Sequence, residues 1–324
     1  MTDAAWRGRL VLVTGAAGLL GGWVSRRLAQ AGAQVLGLDI EWSQGVILGP
    51  DDPVERIDGD IRDREAMDAV LADRNPDTLI HLAAQAIVGR ANEDPADTFE
   101  HNALGTWVTL DACRRNGGVR RIVVASSDKA YGDHGGAPYE ESMPLLARHP
   151  YAASKTCTDI IAQTYAISYA MPLVVTRCGN LYGGGDVQWS RIVPGTIRSV
   201  LRGERPVIRS DGHFVRDYLY VEDAAEGVLA LGSTAGERPE LAGEAFNLSG
   251  ESRCSVLDIV GRILRLMDSD LEPVILDEAV NEIRDQRVSA EKARTTVGWM
   301  PNHTLDEGLE ATIAWYRTHL GMHE

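Results

Sequence analysis

The sequence predicts an α/β fold, a doubly wound parallel sheet with a smaller second lobe toward the C-terminus, and three observations predict it. Over the first 180 residues, short aliphatic and β-branched runs alternate with longer stretches of helical periodicity. A glycine-rich turn separates the first strand run from the first helical run. After Asn180 the alternation loosens at Gly183, Gly184 and Gly185.

Strand runs occur at 10–13, 34–38, 54–57, 78–82, 121–125 and 173–176. Between the first two, Leu20, Trp23, Val24, Leu28 and Ala31 recur at three- and four-residue steps, which places them on one helix face. Strand, helix and strand in repetition give parallel pairing, with helices covering both faces of the sheet. Such sheets bind ligands beyond the carboxyl ends of their strands. The expected organisation is a first domain over 1–180, rejoined by 217–232 through a helix at 221–231. A second lobe follows from 181–216 and 233–324, with helices at 256–267 and 305–319.

Lys and Arg number 32 against 47 Asp and Glu, a net charge of −15, which argues against nucleic acid or an anionic membrane surface as partner. No apolar run approaches the roughly 20 residues of a membrane-spanning helix, and the first nine residues hold no signal-like apolar segment, so a cytoplasmic protein is expected. Cys113, Cys157, Cys178 and Cys254 lie far apart without metal-ligand spacing; they read as small buried hydrophobes, and no metal is expected. Arginines crowd positions 191–216, either as a local anion site or, for Arg198, Arg202 and Arg205, as a solvated helix face.

The turn Thr14-Gly-Ala-Ala-Gly-Leu-Leu-Gly21 follows a strand and opens a helix. Gly15 allows the tight turn, Gly18 lets backbone approach a pyrophosphate, and Gly21 lets the helix pack closely on the sheet. The free N–H groups and positive end of that helix hold phosphate, which makes this the dinucleotide site of a Rossmann-type sheet. Asp39 ends the second strand, where a carboxylate accepts from a ribose 2′-hydroxyl and repels a 2′-phosphate. NAD is therefore expected rather than NADP; the alternative for Asp39 is a plain strand-end turn residue.

Taken with Asp60-Ile-Arg-Asp63, His81-Leu-Ala-Ala84, Tyr151-Ala-Ala-Ser-Lys155, Arg216-Asp-Tyr-Leu-Tyr-Val-Glu-Asp223 and Gly298-Trp-Met-Pro301, this turn resembles the extended short-chain dehydrogenase/reductases that act on nucleotide sugars. The resemblance implies NAD contacts at Gly15, Gly18, Leu19, Gly21, Asp39, Asp60, Ile61, Leu82, Ala83, Ala84, Tyr151 and Lys155. It implies a nucleotide-diphosphate hexose held by Gln85, Asn180, Arg191, Arg209 and Arg216, with Arg284 a weaker candidate, and a homodimer built on helices around 98–115 and 151–169.

Tyr151 and Lys155 stand at i and i+4, so they share a helix face. A neighbouring ammonium and a cationic nicotinamide ring are expected to favour the phenolate, letting Tyr151 take the proton of a sugar hydroxyl. Ser127 matches the residue that orients that hydroxyl, and Asp128 matches an acid that protonates a departing 6-hydroxyl in 4,6-dehydratases. Lys129 stands where many dehydratases carry the glutamate that removes the C5 proton. The pair Asp128-Lys129 resembles the CDP-glucose 4,6-dehydratases, as do 81–88, 179–186 and 190–194. The segment around Arg216 follows the general sugar-epimerase pattern instead. The expected activity is an NAD-dependent nucleotide-sugar 4,6-dehydratase, with a 4-epimerase as the alternative and a non-catalytic dinucleotide sensor as a remote one.

Overall fold

The computed structural model describes residues 3–43, 45–278 and 283–321. The expected lobe at 233–324 thus includes residues 279–282 and 322–324 that lie outside the described residues. The strands are β1 (Leu10–Thr14), β2 (Gln34–Asp39), β3 (Val54–Asp58), β4 (Thr78–His81), β5 (Arg121–Ala125), β6 (Leu173–Cys178), β7 (Asn180–Tyr182), β8 (Val207–Ile208), β9 (Val215–Arg216), β10 (Tyr218–Tyr220), β11 (Ala245–Leu248), β12 (Cys254–Ser255) and β13 (Val274–Ile275). The helices are α1 (Leu19–Gln30), α2 (Arg64–Arg74), α3 (Val88–Glu93), α4 (Pro95–Phe99), α5 (Gly105–Asn116), α6 (Pro150–Tyr169), α7 (Ile192–Leu201), α8 (Val221–Glu237), α9 (Val256–Leu266), α10 (Glu291–Val297) and α11 (Leu305–His319).

Seven strands form one parallel sheet in the order β11-β6-β5-β4-β1-β2-β3. The order reverses beside β1, so the carboxyl ends of β1 and β4 open the crevice where such sheets take ligands. Alternation along β1 builds both layers. Val11 and Val13 pack with Val24 and Leu28 of α1 and Val228 of α8, while Leu12 packs with Met67 and Leu71 of α2 and Val108 of α5. The helix ends carry their own stop and start signals: Asp63 accepts from Ala66 N–H at the start of α2, and Ser255/Asp258 and Thr304/Glu307 form capping boxes on α9 and α11.

One strand departs from the sequence reading. Residues 245–248, expected in the smaller lobe, form β11 and extend the central sheet beside β6, with Phe246 opposite Thr176. The run is four residues long and its partner lies about seventy residues back in the chain, so no local pattern announces it. The lobe itself is built from α7, α9 and α11 around Tyr182, Ile197, Tyr218, Ile263 and Tyr316. The pairs β7–β10, β9–β12 and β8–β13 tie it together.

Behind the sheet edge, Arg177 and Asp159 form a fully buried ion pair, Nε to Oδ2 at 2.8 Å and Nη2 to Oδ1 at 2.9 Å. Arg177 Nη1 also donates to Tyr131 Oη, whose own proton goes to Asn247 Oδ1. One network thereby joins β6, α6, the turn after β5, and β11.

Candidate active site

The cofactor turn and the serine turn stand where strands of the sheet end. After β1, Gly15 has φ +73°, and a Cβ there would meet Ala83 N at 2.7 Å, so the turn needs a glycine against the end of β4. A Cβ on Gly21 would lie 1.9 Å from Gly15 O, which is the close helix-to-turn packing expected of the third glycine. Gly18 is exposed at the start of α1, where no side chain caps the helix, so the first N–H groups face outward for an anion. Leu19 opens that helix. The residues present fit a dinucleotide pyrophosphate.

Asp39 Oδ2 accepts from Ala17 N at 2.9 Å and Oδ1 from Glu41 N at 3.2 Å, which fixes the carboxylate against the glycine turn. Burial raises its pKa, and the backbone N–H groups partly offset that. Among the described residues no cation pairs with it, so nothing there would compensate a 2′-phosphate. A hydrogen bond to a charged group contributes about 1.5–3 kcal/mol. Asp39→Ala should therefore cut the preference for NAD over NADP by about ten- to a hundredfold. Titration of both nucleotides checks this, and equal affinity of the wild type for NADP would remove the 2′-hydroxyl role.

The remaining cofactor candidates line the next strand ends. Leu82 N–H donates to Thr14 O and Ala83 N–H to Thr14 Oγ1, while His81 bonds Thr14 Oγ1 and, at 3.3 Å, Thr106 Oγ1. Burial, aided by the charge of Lys155, pushes His81 down to about 3, so it stays neutral. Ala84 is half-buried beyond them. Ile61 is buried under Gly105. Asp60 is gripped by Arg62, with Nε 3.0 Å from Oδ1 and Nη2 2.7 Å from Oδ2; this hydrogen-bonded pairing lowers its pKa.

At the end of β5, Ser127 caps a short turn over Asp128–Tyr131 by accepting from Lys129 N, and donates to Asp128 Oδ1 at 3.0 Å. Asp128 is 1% exposed and its Oδ2 has no hydrogen-bond partner. Lys129 Nζ lies 3.8 Å from Asp128 Oδ1 and donates to Asn180 Oδ1 at 2.9 Å. From α6, Tyr151 shares a hydrogen bond with Ser127. Lys155, one turn on, donates from Nζ to Ala125 O at 2.6 Å. Ser127, Asp128, Lys129, Tyr151, Lys155 and Asn180 thus converge from the end of β5, from α6 and from β7.

Burial dominates the charge balance of the Tyr151 and Lys155 pair, pushing Tyr151 up to about 12 and Lys155 down to about 8. The Ser127 hydrogen bond and the charge of Arg191, rather than Lys155, are what pull Tyr151 back, while Asp128 pushes it further up. Burial thus favours the neutral phenol of Tyr151, and the Lys155 ammonium is turned onto Ala125 O.

The substrate candidates separate. Asn180 belongs to the cluster, its backbone N–H and its Nδ2 both donating to Asp217 O. Arg191 pairs with Asp186 at 3.0 Å and bears on Tyr151. Arg216 is buried, donates to Val215 O and Ile283 O, and lies over the Phe214 ring. Arg209 and Arg284 are exposed. Gln85 is spent inside the protein: Oε1 accepts from Ile87 N, and Nε2 donates to Thr98 Oγ1 and Ile87 O. Its amide anchors the start of α3, with both Nε2 hydrogens used there and one lone pair of Oε1 left over.

Two residues escaped sequence reasoning. Asn102 lies in a π-helical turn, Glu100–Leu104, and bonds Gln85 N, Gln85 O and Ser154 Oγ, tying the end of β4 to α6. Such turns gather at functional sites, but only the fold reveals the bulge. Asp217 is buried and pushed up to about 7, chiefly by burial and further by the charge of Asp128, against bonds from Ser249 and Ser252. Among the described residues no group of His, Cys, Asp or Glu could hold a metal, the four cysteines are free, and no helix is long and apolar enough to cross a membrane.

Residues 11–249 match the model of the NAD dependent epimerase/dehydratase family. The chain is 34% identical over 320 residues to the dTDP-glucose 4,6-dehydratase of Streptomyces antibioticus, covering 95% of this chain and 92% of that one. It is 28% identical over 329 residues to the CDP-glucose 4,6-dehydratase of Salmonella typhimurium, covering 96% and 91%. Its fold superposes on the crystal structure of the UDP-glucose 4-epimerase of Thermotoga maritima with UDP-glucose at a TM-score of 0.88, with 28% identity and coverage of 96% and 99%. With its glycine turn, strand-end serine and Tyr-x-x-x-Lys helix brought together on one sheet, the chain belongs to the NAD dependent epimerase/dehydratase family.

Proposed function

We propose that the protein is an NAD-dependent nucleotide-sugar 4,6-dehydratase, acting on a nucleotide-diphosphate hexose and giving its 4-keto-6-deoxy product. One observation carries the reading. Asp128 is a buried carboxyl beside Ser127 and Tyr151 with one oxygen unpartnered, and oxidation at C4 alone has no use for it. Buried polar atoms are as a rule satisfied, and among the described exceptions Asp128 Oδ2 is the carboxyl oxygen, placed at a strand end where it can meet a ligand. The dTDP- and CDP-glucose 4,6-dehydratases among its relatives support the same reaction.

Ser127 holds the hexose 4-hydroxyl and Tyr151 takes its proton. NAD held at the glycine turn would supply the hydride chemistry, by which the hydride lost from C4 ends on C6 of the product. Once C4 is a ketone the C5 hydrogen is acidic, and Lys129 in its neutral form, or a water that it positions, takes that proton. Asp128 gives a proton to the 6-oxygen, which leaves as water. Asn180, Arg191 and Arg216 hold the nucleotide portion; arginine suits a diphosphate because its planar fork donates two hydrogen bonds.

Incubation with CDP-, dTDP-, GDP- and UDP-hexoses, followed by mass, tests the reading. A product lighter by one water supports it. The 4-epimerase reading is favoured by the likeness to the Thermotoga enzyme and requires interconversion without mass loss.

The outer face of α5 and α6 exposes Trp107, Ile160, Ile167 and Tyr169, around a hollow of ≈ 310 Å³ bordered by Arg64, Asp111 and Tyr165. A contiguous apolar face of this kind on paired helices suits a second copy of the chain, so a homodimer is part of the proposal. Light scattering at micromolar concentration should report a dimer, and Ile160→Arg a monomer; a monomeric wild type would refute it. Four free cysteines agree with a reducing, cytoplasmic location.

A further inference from the structure

Asp128 and Lys129 sit on a short turn whose two ends are fastened by different groups. Before it, Ser126 N–H donates to Thr176 O at 2.8 Å and Ser126 Oγ to Lys155 O at 3.2 Å, which ties the residue preceding Ser127 to β6 and α6. At its end stands buried Tyr131, whose hydroxyl accepts from Arg177 Nη1 at 2.8 Å and donates to Asn247 Oδ1 at 2.7 Å. Arg177 also lies over the Tyr131 ring, its Cζ 4.8 Å from the centroid, and closes the other side of its fork on Asp159. Asp159 follows Tyr151 and Lys155 at four-residue steps along α6, so the three share a helix face. One guanidinium therefore spans the helix that carries Tyr151 and the turn that carries Asp128.

Every bond in this chain has a determined direction. A guanidinium only donates, so the Tyr131 oxygen accepts from Arg177 and its proton is left for Asn247. Asn247 is oriented in turn by Nδ2, which donates to Tyr139 O at 3.0 Å and Ser289 O at 3.1 Å and so turns Oδ1 toward Tyr131. A buried network satisfied in a single arrangement holds its members rigidly. Stability alone is a poor reason to keep it. A buried ion pair is often no more stabilising than apolar side chains of the same volume, and its best-attested use is to fix register.

We propose that Tyr131 is a positioning residue for the elimination step: held by Arg177, its hydroxyl sets the Asp128–Tyr131 turn against α6, so that Asp128 and Tyr151 address the same hexose. The role rests on the dehydratase reading. Ser127 has its own fastening through Ser126, so loosening the far end of the turn displaces Asp128 and leaves Ser127 beside Tyr151. Thr156 Oγ1 on Ala130 O and Tyr139 Oη on Gly132 O keep the turn formed when the hydroxyl is gone, so it shifts and does not unravel. The Tyr131 hydroxyl is thus needed for loss of water and not for oxidation at C4.

Tyr131→Phe tests this, because it keeps the ring beneath Arg177 and removes only the oxygen. NAD-loaded protein is mixed with whichever of CDP-, dTDP-, GDP- and UDP-glucose the wild type dehydrates, and the reduced-nicotinamide absorbance and the 4-keto-6-deoxy product are followed separately. Dehydration should slow roughly ten- to a hundredfold, the cost of a misplacement on the ångström scale. Reduced nicotinamide should accumulate, with KM for the substrate and affinity for NAD unchanged. Both signals come from folded molecules only, so their ratio stands even where the variant melts at lower temperature. Asp128→Asn, alone and combined with Tyr131→Phe, completes a cycle: if Tyr131 acts through Asp128, the double variant loses less than the product of the two single losses. Losses that multiply, or an equal slowing of oxidation and dehydration, would overturn the proposal and make Tyr131 a support of the fold. Dehydration at the wild-type rate would overturn it as well. A wild type that dehydrates none of the four sugars would instead sink the dehydratase reading on which the proposal stands.

Discussion

Tyr151→Phe is expected to lower turnover by roughly 10²–10⁴-fold, the range for loss of a positioned acid or base, while NAD stays bound. Phenylalanine keeps the ring packing on α6 and removes the one oxygen that shares a hydrogen bond with Ser127. The phosphate turn at Gly15 to Gly21 is on another strand end and is untouched. Because burial holds the Tyr151 phenol up at about 12, the base form becomes more abundant as pH rises. Wild-type kcat/KM should accordingly climb toward alkaline pH, and this limb should vanish in the variant's residual activity. Turnover within about tenfold of the wild type would remove Tyr151 from the reaction.

The second large effect separates the two leading reactions. Elimination of water needs a proton donor for the 6-oxygen, whereas oxidation at C4 does not, so Asp128→Asn should uncouple them. Dehydration should fall by about 10²–10⁴-fold while Ser127 and Tyr151 still support oxidation. Mixed with its substrate, the variant should accumulate the reduced-nicotinamide absorbance with little 4-keto-6-deoxy product. The amide is close in size and can still accept from Ser127, so thermal stability should change little, and a large drop in melting temperature would indicate a structural role. Unimpaired dehydration would exclude Asp128. A wild type that interconverts C4 epimers without mass loss would replace the dehydratase reading with the epimerase.

What could be read without coordinates was whatever local chemistry dictates. The glycine turn is legible because steric demands at Gly15 and Gly21 admit no side chain, and the Tyr151-Lys155 pair because helical spacing is a local rule. Strand alternation gave the six early strands to within a residue or two. Groups whose roles depend on distant partners stayed hidden. Gln85 sits at the expected strand end, yet its amide is consumed by Ile87 and Thr98. Arg216 was read from its motif alone, and the backbone carbonyls of Val215 and Ile283 that orient its Nη1 are visible only in the fold. The burial of Tyr151 and Lys155 was not legible either, because adjacency in sequence counts the ammonium and says nothing of what packs around the pair. Asn102 carries no motif at all, and only its bonds to Gln85 and Ser154 make it conspicuous.

The seventh strand bears on how the chain is made. During synthesis the first six strands and their helices are complete when residue 178 emerges, yet β6 then ends the sheet with a bare row of N–H and C=O groups. About seventy more residues must leave the ribosome before Ala245–Leu248 can pair with it, and at 5–20 residues per second that interval lasts roughly 4–14 s. The nascent protein thus passes through a stage that is nearly folded and open to edge-to-edge association. A fragment stopped at residue 180 would be frozen in that stage, prone to aggregate although it contains the whole glycine turn and both Tyr151 and Lys155.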